Sequence, residues 1–225
     1  MIIVRRRMKQ LTLKGTAGHG GKRKGAGRKP AGGRRRTAHR WRPEHARRHP
    51  VHVTLRARRG LPSLRAQKVH SLFLRIKMET ANEVFRIVHH SLQSDHIHLI
   101  VEAVDKKEMS SGLRRVVIRF AKRFALLLGA KKGKVWGDRF HTHTLRSVRQ
   151  TRNVLLYVLQ NAKKHGAVDC AARFVDPFSS GGAFDGWVDV EPYARPGTAP
   201  RTWLLGVGWK KLGLLRATDA PRQAR

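Results

Sequence analysis

The spacing of apolar residues changes period several times along the chain, and each change predicts an element. Alternation marks Val51-His52-Val53-Thr54-Leu55 as a strand opening after His49-Pro50. After Gly60-Leu61-Pro62, Ser63 is placed to cap a helix whose stripe is Leu64, Val69, Leu72, Leu74, Ile76 and Met78, with basic residues between. A run from about Val84 to Ser91 predicts a second strand. The turn Gln93-Ser94-Asp95 returns the chain as a third, His96–Val101. Leu113, Val116, Val117, Phe120, Phe124 and Leu127 recur at helical spacing, predicting a long helix from about Glu108 to Gly129, where the glycine ends it. The stretch VWGDRFHTHTL, from Val135 to Leu145, reads as another short strand or hairpin. Ser147 then caps an amphipathic helix over 148–164, with Val154, Leu155, Val158 and Leu159 inward and Tyr157 and Asn161 one turn apart on an adjacent face.

Strand, helix, two strands, helix, strand and a final helix predict an α+β fold: a ferredoxin-like (RRM-like) antiparallel sheet with helices packed on one side. This domain spans residues 49–166. Residues 1–48 form a basic Gly/Arg-rich arm that cannot bury a core and is expected to be disordered. Residues 167–225 carry 8 basic and 6 acidic residues, and Gly, Pro and aromatics dominate, so they read as an extended tail packing through Phe178, Phe184 and Trp187. Within it Thr202–Leu215 suggests a short amphipathic helix weakened by Gly206 and Gly208.

Charge narrows the partners. Lys and Arg number 49 against 14 Asp and Glu, a net charge of +35 that attracts polyanions and far exceeds what solubility requires. No apolar run approaches the roughly 20 residues of a membrane span, and the order of Met1–Val4 before Arg5-Arg6-Arg7 inverts that of a signal peptide. Cys170 stands alone, which excludes an intrachain disulfide or a cysteine zinc cluster and suits a reducing compartment. The candidate phosphate contacts are Arg114, Arg115, Arg119, Lys122 and Arg123 on one face of the long helix, with no acidic residue in sequence balancing them. To these are added Lys131 and Lys132 in the following loop and, in the arm, Arg28, Lys29, Arg34, Arg35 and Arg36.

The candidate chemistry centres on His96-Ile97-His98. On a strand the two imidazoles share a face while Ile97 and Leu99 take the other, and two convergent imidazoles are most of a metal site. The alternating pair His141 and His143 competes for that role, and His52-Val53-Thr54 matches half of a two-histidine phosphoesterase motif whose second half is missing. Two strand imidazoles and an amide from a packed helix would leave open positions on a divalent ion to polarise a phosphate. Tyr157, a turn from Asn161, makes phosphoryl transfer to tyrosine the indicated chemistry.

The ordered set VHVTLR, SDHIHLIVEA, VWGDRFHTHTLR and LLYVLQNAKKHG resembles the single-tyrosine HUH transposases of small insertion sequences, in particular their REP-associated tyrosine transposase branch, over about residues 50–166. The resemblance implies a nucleophile at Tyr157 and a divalent ion, Mg²⁺ or Mn²⁺, on His96, His98 and Asn161. It also implies that His141 and His143 lie outside the metal site. The implied activity cleaves and rejoins single-stranded DNA beside imperfect hairpins through a 5′-phosphotyrosine intermediate, by a monomer or homodimer in the bacterial cytoplasm, associated with the nucleoid. Lys163 or Lys164 would favour the phenolate. Two positions depart from the family pattern, which usually has Asn at Asp95 and Asn-Pro at Asn161-Ala162. The alternative is a domesticated, catalytically reduced protein that binds DNA or RNA hairpins.

Overall fold

The computed structural model describes residues 45–129, 134–164, 173–194 and 197–221. The arm residues Arg28, Lys29, Arg34, Arg35 and Arg36 and the loop residues Lys131 and Lys132 lie outside the described residues. Strands β1 (Val51–Arg56), β2 (Phe85–Leu92), β3 (His96–Ala103) and β4 (His141–Thr144) form one antiparallel sheet in the order β2-β3-β1-β4. Helix α1 (Gln67–Thr80) connects β1 to β2, and α2 (Lys106–Leu127) connects β3 to β4. Helix α3 (Val148–Leu159) follows β4. This is the βαββαβ arrangement of a ferredoxin-like sheet, with β1 and β3 central.

Alternation along the central strands divides the molecule into two cores. Val51, Val53 and Leu55 of β1 and Ile97, Leu99 and Val101 of β3 point to one side and pack with Phe73 and Ile76 of α1 and Leu113, Val116, Phe120 and Phe124 of α2. The opposite face carries His52, Thr54, His98 and Ile100. There Val88 and Ile100 pack with Leu155, Val158 and Leu159 of α3 and with Phe184, Trp187, Leu205, Trp209 and Leu215 of the C-terminal segment. The two crossover helices therefore share one side, as the pattern predicts, while α3 and the C-terminal segment cover part of the other.

Several elements differ from the sequence pattern. Helix α1 starts after Ala66, without a side-chain cap; Ser63 Oγ accepts instead from the Arg65 amide in the preceding turn. Its buried line is Val69, Phe73, Ile76 and Thr80, a true helical period, which leaves Leu74 and Met78 outside. Leu127 on α2 is likewise exposed, and Asp105 caps that helix by accepting from the Glu108 amide. Gly129 takes φ 70° just beyond α2, the left-handed conformation a helix end requires there. The tail's expected helix is a single turn, Trp203–Gly206, followed by a 3₁₀ stretch, Gly208–Leu212.

Candidate active site

The site is built on the sheet face that α3 crosses. Pairing of β1 with β3 sets Thr54 opposite His98 and Arg56 opposite His96, and pairing with β4 sets His52 opposite His143 and Thr54 opposite His141. Directly paired residues share a face, so His96, His98, His52, Thr54, His141 and His143 all belong to one side of the sheet. The rings of His96 and His98 meet edge to face with centroids 4.6 Å apart. The edge-strand pair His141 and His143 is exposed, and among the described residues no three His, Cys, Asp or Glu side chains form a ready metal cluster.

Tyr157 reaches this face from α3. Ser147 starts the helix by accepting from the Gln150 amide, and Leu155, Val158 and Leu159 anchor it to the sheet. These anchors turn the half-buried Tyr157 toward β3, where its hydroxyl is 3.2 Å from His98 Nε2. The other nitrogen of that ring, Nδ1, is 3.1 Å from His52 Nε2 and 3.2 Å from Thr54 Oγ1. His52 stacks on His98 at 5.1 Å and meets Tyr157 edge-on at 5.8 Å. Burial holds the His52 imidazole down to about 4, so it is neutral at neutral pH. On the remaining histidine, His96 Nδ1 is 2.6 Å from Asp95 Oδ1, while Arg56 approaches Asp95 Oδ2 at 3.5 Å. The hydrogen bond with His96 is the largest cause that holds the Asp95 carboxyl below its ordinary value; partial burial opposes it, and smaller effects of His96 and Arg56 reinforce it.

Asn161 is placed differently from the sequence expectation. Helix α3 stops at Leu159 and Gln160 caps it, so the continuous helix expected through 164 is broken, and Asn161 opens a separate turn, Asn161–Lys164. Its side chain is fully buried, and neither the amide oxygen nor the amide nitrogen has a hydrogen-bond partner. Buried amides are nearly always paired, and an unpaired carboxamide oxygen is a suitable ligand for a divalent cation. Two imidazoles and a carboxamide oxygen are donor types suited to a divalent ion, which His96, His98 and Asn161 would supply. Lys163 is buried, and its ammonium donates to the Ala217 carbonyl at 2.6 Å.

Beside Tyr157 lies a cleft of about 550 Å³, lined by Arg149, Arg152, Asn153 and Tyr157 with Ala220 and Pro221, within the roughly 300–1,000 Å³ of ligand clefts. Residues 149, 153 and 157 recur every four positions, so one face of α3 presents a cation, an amide and the tyrosine in line. That spacing was present in the sequence. His52 and Thr54 were visible there too, as half of a motif for a different fold, and only the sheet register gives them their role at His98.

The basic face of α2 is on the far side of the sheet. Arg114 and Lys122 are exposed. Arg119 and Arg123 are paired with Glu79 at 3.2 and 2.8 Å, so an acid from α1 balances charges that look uncompensated along α2 alone. Arg115 bonds Ser111 through one guanidinium nitrogen and buries another without a partner.

No family model and no curated protein matches the chain. Among solved structures it is similar to a REP-associated tyrosine transposase bound to a REP hairpin, with 21% identity over 64% of this chain and 82% of that one and a TM-score of 0.48. It is also similar to a presumed transposase from Deinococcus radiodurans R1, with 12% identity over 54% of this chain and 94% of that one and a TM-score of 0.36.

Proposed function

We propose that the protein is a metal-dependent single-stranded DNA transposase or endonuclease that cleaves and rejoins hairpin-associated DNA through Tyr157. The observation that carries this reading is the 3.2 Å approach of the Tyr157 hydroxyl to His98, which puts a phenol nucleophile against the paired histidines of the HUH-like triplet. The ordered sequence motifs add the hairpin substrate, and the +35 charge agrees with a polyanion.

His96, His98 and Asn161 would hold Mg²⁺ or Mn²⁺. When bound, the ion supplies Lewis-acid activation of the scissile phosphate. Tyr157 Oη attacks phosphorus and forms the phosphotyrosine bond as the bond to the 3′-oxygen breaks. The phenol gives up its proton, and the departing 3′-oxygen takes one up. In the reverse direction a 3′-hydroxyl attacks the phosphotyrosine and releases Tyr157, completing transfer to another end. Arg149 in the adjoining cleft is placed to meet phosphate charge, and the contact with His98 places the phenol beside the ligand histidines before an ion binds.

The test incubates the protein with a single-stranded hairpin oligonucleotide in Mn²⁺ and resolves protein–DNA adducts on a denaturing gel. Wild type is expected to form the adduct, Tyr157→Phe none, and His96→Ala a strongly reduced amount. An adduct persisting in Tyr157→Phe would remove the nucleophile assignment. Hairpin binding by wild type without any adduct would instead favour the catalytically reduced binding protein.

A further inference from the structure

Each histidine of the central pair has a polar side-chain atom within hydrogen-bond distance of its Nδ1. His96 Nδ1 is 2.6 Å from an Asp95 carboxylate oxygen, and His98 Nδ1 is 3.1 Å from His52 Nε2 and 3.2 Å from Thr54 Oγ1. A carboxylate only accepts hydrogen bonds, so the proton of that contact is on His96 Nδ1, and the neutral imidazole held in this way keeps its lone pair on Nε2. The same arrangement at His98, with the proton on Nδ1 shared toward His52 and Thr54, leaves its Nε2 lone pair facing the Tyr157 hydroxyl.

We propose that Asp95 and His52 are positioning residues: they fix both imidazoles as Nδ1–H tautomers so that the two Nε2 lone pairs are available to a divalent ion beside the tyrosine. This rests on the reading of His96 and His98 as ligands. Asp95 is also where this chain departs from the Asn usual in the resembling family. An asparagine could still accept from Nδ1, but it carries no charge, whereas a carboxylate makes a shorter and stronger bond and raises the basicity of the opposite nitrogen. The 3.5 Å approach of Arg56 steadies the second carboxylate oxygen. Asp95 thus gives His96 an anionic support, while His98 has a neutral one.

Two measurements on the full chain without DNA test this. The first is ¹⁵N NMR of the metal-free protein, in which His96 and His98 are expected as Nδ1–H tautomers, and Asp95→Ala is expected to return His96 to a mixture. The second is Mn²⁺ affinity by calorimetry, where loss of such a partner weakens binding about 10- to 100-fold. Asp95→Ala and His52→Ala are expected in that range, with Asp95→Asn and His52→Gln recovering part of the loss because both retain an acceptor. Amide spectra matching wild type establish that each variant is folded. Nε2–H tautomers in wild type, or Mn²⁺ affinity unchanged in folded Asp95→Ala and His52→Ala, would overturn the proposal. The tautomer and affinity changes occurring in a wild-type protein that never forms the DNA adduct would leave the positioning role standing and remove the nuclease reading.

Discussion

At the scale of single residues, the polar groups near the sheet are neutral by burial or held by a specific partner. His70 and His90 meet Nε2 to Nε2 at 3.2 Å, and His89 Nδ1 is 3.2 Å from Ser180 Oγ. Burial is the largest cause that lowers each of these histidines; His89 falls to about 3 and His90 lies well below the ordinary value. Lys77, itself lowered to about 8 by burial and bonded to the Val88 carbonyl, and the neighbouring histidines add to the effect, while Asp176 opposes it at His70 and Arg65 reinforces it. The folded-state values lie below 6.5, so between about pH 6.5 and 3 the unfolded chain binds more protons and stability rises with pH. Unfolding free energies from urea titrations are therefore expected to fall between pH 7 and pH 5, by on the order of 1 kcal/mol per pH unit for each histidine at the steepest point. His89→Gln should flatten this slope, and an unchanged slope would show that His89 does not contribute to it.

At the scale of elements, close approach between α2 and β2 sets the layer spacing. A Cβ at Gly112 would run into the Phe85 ring, and Phe85 is fully buried in the core shared by both helices. Gly112→Ala gains helix propensity, but overpacking of this kind costs roughly 1–3 kcal/mol, so the net effect is expected to be destabilising in a denaturant titration. Gly112→Val should be worse, and a stabilised Gly112→Ala would mean that Phe85 can move aside. The α3 boundary shows a limit of pattern reading at the same scale. Apolar periodicity runs smoothly through Leu159, and nothing in the adjacent sequence marks the break at Gln160. Its side-chain amide donates to the carbonyls of Phe174 and Ala217, distant partners that exist only after the C-terminal segment has packed.

At the scale of the whole molecule, the site and the basic face of α2 lie on opposite sides of the sheet, so contact with both requires nucleic acid to extend around an edge. Glu79 also divides the α2 cations into two classes. Under the proposed function, exposed Arg114 and Lys122 have the larger expected contribution to hairpin binding, and the paired Arg119 and Arg123 a smaller one. In fluorescence anisotropy across a salt series, Arg114→Ala and Lys122→Ala are each expected to reduce the slope of log affinity against log salt by about 1, if each meets one phosphate. A larger loss from Arg119→Ala would reverse this order. No helix among the described residues is long and apolar enough to cross a membrane.

The sequence alone determined the strand order's building blocks, the inward alternation of β3 and the shared face of His96 and His98, because side-chain direction on a strand follows from a period of two. It also marked Tyr157 through ordered motifs. Only the tertiary structure decided that His52 and Thr54 meet His98 and that Glu79 neutralises part of α2, since cross-strand register and helix packing join residues far apart in the chain. The same cause moved Asn161 off the expected helix: contacts from the C-terminal segment hold Gln160 and Lys163, and local periodicity carries no record of partners more than 50 residues away.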